Sequence, residues 1–119
     1  MKKVLVVEDS IYITRAIKII LEKEGISVLS TSDGSKVVEI VRNKGIDLVI
    51  LDLMMPGVSG KDVFKMLKAD QDTKNVPVLI LSARIDYYLN DEELKTCDKF
   101  MTKPFDNKEL VQEVKKLIG

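Results

Sequence analysis

Hydrophobic and polar positions follow two different rhythms along this chain. Five short apolar or β-branched runs predict β-strands. They lie at residues 4–7, 27–30, 48–51, 78–81 and 99–101. Between these runs, apolar residues recur every three or four positions, which predicts amphipathic helices. The helices are expected near residues 10–24, 34–44, 59–69 and 106–118. Regular alternation of strand and helix is typical of a parallel α/β sheet, with the almost wholly apolar third and fourth runs at its centre and the more polar second run at an edge.

Capping residues mark the ends of several predicted helices. Gly25 and Gly45 stand in C-cap positions, and Asp106 with Glu109 forms a capping-box pattern before the last helix. The stretch 84–98 is harder to assign, because polar residues 90–93 interrupt its apolar stripe. We expect a shortened or displaced fourth helix there, with a solvated loop as the alternative.

Composition and charge narrow the classes of function. The 119 residues suffice for a single domain, 1–119, with a hydrophobic core that needs no metal or disulfide. Lys plus Arg and Asp plus Glu both number 19, so no net charge attracts nucleic acid or an acidic membrane surface. We expect neither as a partner. Because the chain has no histidine, its own chemistry must use carboxylates.

Cysteine usage and the start of the chain indicate a compartment. The single cysteine, Cys97, cannot form an internal disulfide, and the sequence opens on MKK followed at once by a strand instead of an apolar signal segment. Both features are typical of a reducing environment. We therefore expect the protein to be cytoplasmic.

Polar side chains follow the strands at the point where each strand ends. Glu8 and Asp9 follow the first strand, Asp52 the third, Ser82 the fourth and Lys103 the fifth. Because carboxyl ends of parallel strands share one edge of a sheet, these side chains are expected to converge. Three carboxylates could hold a divalent cation. That cation and the lysine would allow an aspartate to attack a phosphoryl group.

Each acidic residue also has a simpler interpretation. Glu8 and Asp9 could favour the N-terminus of the first helix through its dipole, and Asp52 could begin the turn that contains Pro56 and Gly57. Taken singly, these structural roles are common. They do not explain why the central strands all end in groups suited to phosphoryl transfer, so the functional interpretation is preferred.

In order and spacing, these residues resemble the receiver domain of two-component response regulators, of the single-domain kind found in chemotaxis. The matching motifs are the acidic pair after strand one, DLMMPG at the end of strand three, a hydroxyl residue before Ala83 and Lys–Pro after strand five. The resemblance spans the whole chain. It implies a flavodoxin-like doubly wound sheet of five parallel strands in the order 2-1-3-4-5, with helices on both faces.

The resemblance also implies a function. The chain would be a monomeric signalling switch and not an enzyme, although it would assist its own phosphorylation and dephosphorylation. It would take a phosphoryl group onto Asp52 from the phosphohistidine of a histidine kinase or a histidine phosphotransfer protein. Its affinity for a downstream protein target, which the sequence does not name, would then change.

The same resemblance assigns roles around a metal ion. Asp9 and Asp52 would bind Mg²⁺ or Mn²⁺ directly, Glu8 would bind it through water, and the backbone carbonyl of Met54 would add another oxygen. Lys103 would supply a fixed positive charge beside the phosphoryl group.

Two further residues are expected to carry the switch. Ser82 would contact the bound phosphoryl group, and Phe100 on strand five would change rotamer as the hydroxyl moves. Core filling is the alternative role for Phe100. Pro104 is expected to follow a cis peptide bond that directs Lys103 inward.

The chain departs from the family pattern in three places. Met54 and Arg84, two residues after the acceptor and the hydroxyl, cannot hold an attacking water well, so dephosphorylation should be slow. Residues 96–98 read Thr-Cys-Asp where the family usually has Gly–Ala, in a segment about one residue short. That departure puts in question the usual partner face of helix four, strand five and helix five.

Two other classes of protein also use parts of this pattern. A phosphatase of the haloacid dehalogenase type would use an aspartate nucleophile with Mg²⁺ and a lysine, but it places a second aspartate where Met54 stands here. A flavin-binding module would need a phosphate-binding loop after strand one, where this chain has the acidic Glu8-Asp9-Ser10.

Overall fold

The computed structural model describes all 119 residues and contains one five-stranded sheet. The strands are β1 (Lys3–Val7), β2 (Ser27–Thr31), β3 (Leu48–Leu51), β4 (Val78–Ser82) and β5 (Lys99–Thr102). Their order is β2-β1-β3-β4-β5, and every neighbouring pair is parallel. The predicted order is confirmed, with the more polar second strand at an edge and the wholly buried β3 and β4 inside.

Five helices connect or follow the strands. They are α1 (Ile11–Glu22), α2 (Val37–Lys44), α3 (Gly60–Ala69), α4 (Ile85–Leu89) and α5 (Asn107–Ile118), with 3₁₀ turns at Gly34–Lys36 and Leu94–Thr96. None of the helices combines the length and apolar composition that crossing a bilayer requires.

Two hydrophobic clusters, one on each face, hold the helices to the sheet. Alternate strand residues point to opposite faces, so Val7 and Leu51 pack with α2 and α3, whereas Val6 and Ile50 pack with α1 and α5. The helices contribute buried side chains that include Val41 and Phe64 on the first face and Ile17, Leu21, Leu110 and Val114 on the second. This two-sided burial explains why the central strands are apolar throughout.

The predicted caps are largely present. Gly45 ends α2 at φ 64°, in the left-handed region, and the Asp106 side chain accepts a hydrogen bond from the Glu109 amide at 3.0 Å. The prediction for Gly25 was wrong in detail, because Lys23 is the C-cap of α1. Gly25 lies two residues further on, at φ 77°, where the chain turns towards β2.

The fourth helix is shortened to five residues. Its end is set by Asp91, whose Oδ1 accepts from the amides of Glu93 and Leu94 at 2.9 and 3.1 Å and so starts the next turn. Lys61 on α3 pairs with the same carboxylate at 2.9 Å. The atypical segment 96–98 leads directly into β5, and Asp98, just before that strand, accepts from the Val78 amide at 2.8 Å.

Candidate functional site

The register of the central strands brings the predicted site residues to one edge. Val7 of β1 lies opposite Leu51 of β3, and the Asp52 amide donates to the Val7 carbonyl at 3.0 Å. The next residues after these strands, Glu8 and Asp52, are therefore neighbours. On the other side, the Lys103 amide donates to the Ser82 carbonyl at 3.1 Å, which fixes the chain after β5.

Lys103 joins the two buried carboxylates. Its Nζ donates to Asp52 Oδ2 at 3.1 Å and to Glu8 Oε1. The Glu8 and Asp52 side chains are only 4% and 6% exposed, and that of Lys103 is 16% exposed. The Lys103–Pro104 peptide bond is cis, as the resemblance implied. The expected convergence of Glu8, Asp52 and Lys103 is therefore present.

Backbone amides occupy the remaining carboxylate oxygens. Glu8 Oε2 accepts from the Ser10 amide and Asp52 Oδ1 accepts from the Met54 amide, both at 3.1 Å. Each of these two carboxylates is thus held at both of its oxygens, one by Lys103 and one by a backbone N–H. This arrangement fixes their positions before any ligand arrives.

The electrostatics of the site reflect its burial and its excess of acids. Burial raises the pKa of Glu8 above its ordinary value and outweighs the hydrogen bonds from Lys103 and Ser10. Burial alone would lower the pKa of Lys103, but the hydrogen bond to Glu8 and the charge of Asp52 raise it. Lys103 therefore stays charged, and the carboxylates outnumber it.

Asp9 completes a group that could hold a metal ion. It is exposed on the loop between β1 and α1, and ligand oxygens of Glu8, Asp9 and Asp52 lie within 4.8 Å of one another. Carboxylate oxygens are the ligands that Mg²⁺ prefers. The donor set and the excess negative charge both fit a hard divalent cation.

Ser82 ends β4 at the same edge of the sheet as this group, and Phe100 lies on the adjacent strand β5, opposite Ile80. Ser82 is fully buried, and its Oγ accepts from the Arg84 amide at 3.1 Å. The ring of Phe100 stacks on Tyr88 of α4, with centroids 4.3 Å apart and an interplanar angle of 20°. This partner of Phe100 was not predicted from the sequence. The spacing of Ile85, Tyr88 and Leu89 indicates a helix but does not identify Phe100 as a contact.

Arg84 and Met54 lie near the site in different ways. The Arg84 guanidinium donates to both oxygens of Asp86, at 2.9 and 2.7 Å, and lies 4.1 Å from the centroid of the Tyr87 ring. This pairing raises the pKa of Arg84 and directs its charge to Asp86. The Met54 amide contacts Asp52 directly, while its side chain is exposed.

Comparison with known proteins places these features in a family. Residues 4–115 match the response regulator receiver domain. The DNA-binding response regulator MtrA of Mycolicibacterium smegmatis is 38% identical over 117 residues, which cover 96% of this chain and 49% of MtrA. The chain thus spans about half the length of such relatives.

Solved structures agree with the match. The receiver domain of Francisella response regulator 1452 is 34% identical with a TM-score of 0.87, and the alignment covers 99% of this chain and 97% of that one. Thermotoga maritima TrrA, solved in complex with Mg²⁺-BeF, is 32% identical with a TM-score of 0.86, covering 98% and 99%.

The chain belongs to the response regulator receiver domains, the receiving components of two-component signalling. The flavodoxin-like fold inferred from the sequence is confirmed. Neither the family match nor the relatives support the phosphatase alternative.

Proposed function

We propose that residues 1–119 form a single receiver domain that accepts a phosphoryl group on Asp52. The observation that carries the proposal is the position of Asp52, which lies at the end of a central strand between the Lys103 ammonium and the Met54 amide, next to Glu8 and Asp9. The donor would be the phosphohistidine of a histidine kinase or histidine phosphotransfer protein.

The transfer is a substitution at phosphorus. A carboxylate oxygen of Asp52 forms the new O–P bond as the N–P bond of the donor breaks, and the electron pair of the broken bond stays on the imidazole nitrogen. Lys103 supports this reaction by holding a positive charge beside the transferring oxygens. Its hydrogen bond to Glu8 keeps the ammonium in place at the site.

A divalent cation would be held by Asp9 and Asp52 directly, by Glu8 through water and by the Met54 carbonyl. Such an ion, Mg²⁺ or Mn²⁺, neutralises the repulsion between the carboxylates and an incoming phosphoryl group. The excess of carboxylates over Lys103 supports this role. The Mg²⁺-BeF in the TrrA structure supports it as well.

The phosphoryl signal would pass through Ser82, Phe100 and α4. The Ser82 hydroxyl would lose its hydrogen bond from the Arg84 amide and contact the phosphoryl group instead. Phe100, which stacks on Tyr88, would transmit the change to α4. The chain would then bind its protein target with altered affinity through a population shift. It would act as a cytoplasmic, monomeric switch without a membrane or nucleic-acid partner, and any hydrolysis would concern only its own phosphoryl group.

Intact-mass measurement tests the acceptor. With acetyl phosphate and Mg²⁺, wild type should gain one phosphoryl group, and a chelator should prevent the gain. Asp52→Asn should gain none, whereas Asp72→Asn, at a carboxylate with a 74% exposed side chain, should behave as wild type. A folded Asp52→Asn variant that still gains a full phosphoryl group would show that Asp52 is not the acceptor.

A further inference from the structure

The loop that carries Met54 closes on itself at the first residue of α3. The chain leaves β3 at Asp52, turns at Gly57, where φ is 75°, and returns to its own start at Gly60. There the Gly60 amide donates to the Leu53 carbonyl at 3.2 Å. Residues 53–59 therefore form a closed loop whose base is the contact between Gly60 and the backbone that follows β3.

This contact leaves no space for a side chain at position 60. A Cβ atom there would overlap the carbonyl oxygen of Asp52 and lie 2.6 Å from Cα of Leu53. Both are backbone atoms, so neither can rotate away as a flexible side chain would. Any residue other than glycine must push α3 away from Asp52 or shift the backbone at Asp52 and Leu53.

The absence of a side chain is required for space and not for backbone conformation. Gly60 does not have a positive φ, and alanine has a higher helix propensity than glycine. Alanine would therefore suit this helical position if the contact with Asp52 did not exist. Gly45 shows the opposite case, with φ 64° and no atom within 4 Å of an added Cβ.

We propose that Gly60 is a positioning residue for phosphoryl transfer, because its bare Cα lets the start of α3 close the loop that holds Asp52. The effect reaches the carboxylate in two steps. Gly60 fixes the backbone of Leu53, and the following amide, that of Met54, donates to Asp52 Oδ1 at 3.1 Å. The inference rests on the proposed role of Asp52 as acceptor.

The test compares Gly60→Ala with Gly45→Ala. The second substitution strains the backbone at a position where an added Cβ would meet no atom within 4 Å. Both proteins are treated with acetyl phosphate and Mg²⁺, and the gain of phosphoryl mass is followed in time at several Mg²⁺ concentrations. Gly60→Ala should react about 10- to 100-fold more slowly than wild type, because small misplacements of reacting groups cost rates of this order. Gly45→Ala should lose thermal stability and keep the wild-type rate.

A second readout needs neither phosphoryl donor nor metal. The amide resonances of Leu53 and Met54, followed by ¹H–¹⁵N NMR, should shift in Gly60→Ala and stay unchanged in Gly45→Ala. If wild type itself gains no phosphoryl group, the proposed function fails, whereas these shifts still decide whether Gly60 holds the loop. The proposal is overturned if folded Gly60→Ala reacts as fast as Gly45→Ala and its Leu53 and Met54 amide resonances stay at their wild-type positions.

If Gly60→Ala does not fold, Gly34→Ala tests whether the position of α3 controls phosphoryl transfer to Asp52. A Cβ at position 34 would lie 2.7 Å from Val63 Cγ2 and 2.9 Å from the Val58 carbonyl, so it displaces the same segment without touching Asp52. Gly34→Ala should react several-fold more slowly than Gly45→Ala and shift the same two amides. A wild-type rate in Gly34→Ala with the loop resonances unmoved would contradict the role of α3 in positioning Asp52.

Discussion

The two ends of the parallel sheet use carboxylates in opposite ways. At the amino end, Asp47 and Asp98 each precede a strand and accept from the first amide of the neighbouring strand, that of Lys3 and of Val78, both at 2.8 Å. At the carboxyl end, ligand oxygens of Glu8, Asp9 and Asp52 lie within 4.8 Å of one another, and Glu8 and Asp52 share Lys103. Aspartate at the amino end completes the pairing between neighbouring strands. At the carboxyl end, Asp52 accepts only from an amide of its own loop, that of Met54, and adds to a concentration of negative charge.

This difference shows how the same residue type acquires a structural or a chemical role. A carboxylate that accepts an otherwise unpaired backbone amide stabilises the fold. Carboxylates placed together in a buried site destabilise the metal-free protein and are retained for the ligand they attract. The two ends should therefore respond differently to substitution.

The largest effect is expected from removing the cation of the carboxyl end. Lys103→Met leaves Glu8 and Asp52 buried without their shared partner, which should lower the free energy of unfolding by about 2–3 kcal/mol. Lys115→Met is the matched control, because Lys115 pairs with Glu24 at 2.6 Å but is 55% exposed. Its loss should stay below about 1 kcal/mol. Urea unfolding of the metal-free proteins measures both, and equal losses would contradict the burial argument.

Aspartates at the two ends should change stability in opposite directions. Asp98→Ala leaves the Val78 amide unpaired and should cost about 1 kcal/mol. The Asp9 carboxylate accepts no hydrogen bond from the protein and lies close to two other acids. Asp9→Asn removes its charge and should therefore raise the free energy of unfolding of the metal-free protein by about 0.5 kcal/mol. Mg²⁺ should stabilise wild type more than Asp9→Asn. Changes of the same sign in metal-free buffer would remove the distinction between the two ends.

Met54 should control how long a phosphoryl group stays at the carboxyl end. Its thioether accepts hydrogen bonds weakly, and the Arg84 guanidinium is held by Asp86, so we expect neither side chain to position an attacking water. Met54→Asn and Met54→Glu should accelerate loss of phosphate several-fold, equivalent to about 1 kcal/mol of barrier. The decay is followed by intact mass after the donor is removed, and unchanged decay in both variants would show that Met54 does not control it.

The smallest effect concerns pH. Burial holds the pKa of Glu8 above its ordinary value of 4.5, so the folded protein binds a proton at Glu8 more tightly than the unfolded chain does. The folding stability that this proton contributes is fully present below pH 4.5 and is lost as the pH rises through the raised pKa. Between about pH 7 and about pH 5, metal-free wild type should therefore gain stability relative to Glu8→Gln, by under about 1 kcal/mol. Paired urea titrations measure this difference. A relative loss on acidification would mean that the Lys103 ion pair outweighs burial.

Much of this architecture is predictable from sequence because it depends on repeating patterns. Strand periodicity sets the sheet, and parallel strands bring their carboxyl ends together, so the meeting of Glu8, Asp52 and Lys103 follows from their places after strands. The truncation of α4 was also predictable from its interrupted apolar stripe.

Contacts that depend on how a short helix docks or on the conformation of a loop were not predictable. Nothing in the periodicity indicates that Tyr88 stacks on Phe100, because that contact depends on how a five-residue helix docks on an edge strand. The approach of Gly60 to Asp52 depends on the path of an irregular loop. Arg84 is held by Asp86 through the local turn, which charge patterns alone do not specify.

Carboxylates at the carboxyl end of the sheet are expected to be reactive, and those at the amino end to be structural. Borohydride reduction of the protein treated with phosphoryl donor and Mg²⁺ converts an aspartyl phosphate to homoserine, and peptide mass spectrometry then locates it. We expect homoserine at position 52 and none at positions 47 and 98. Homoserine at Asp47 or Asp98, or at Asp9 in place of Asp52, would contradict it.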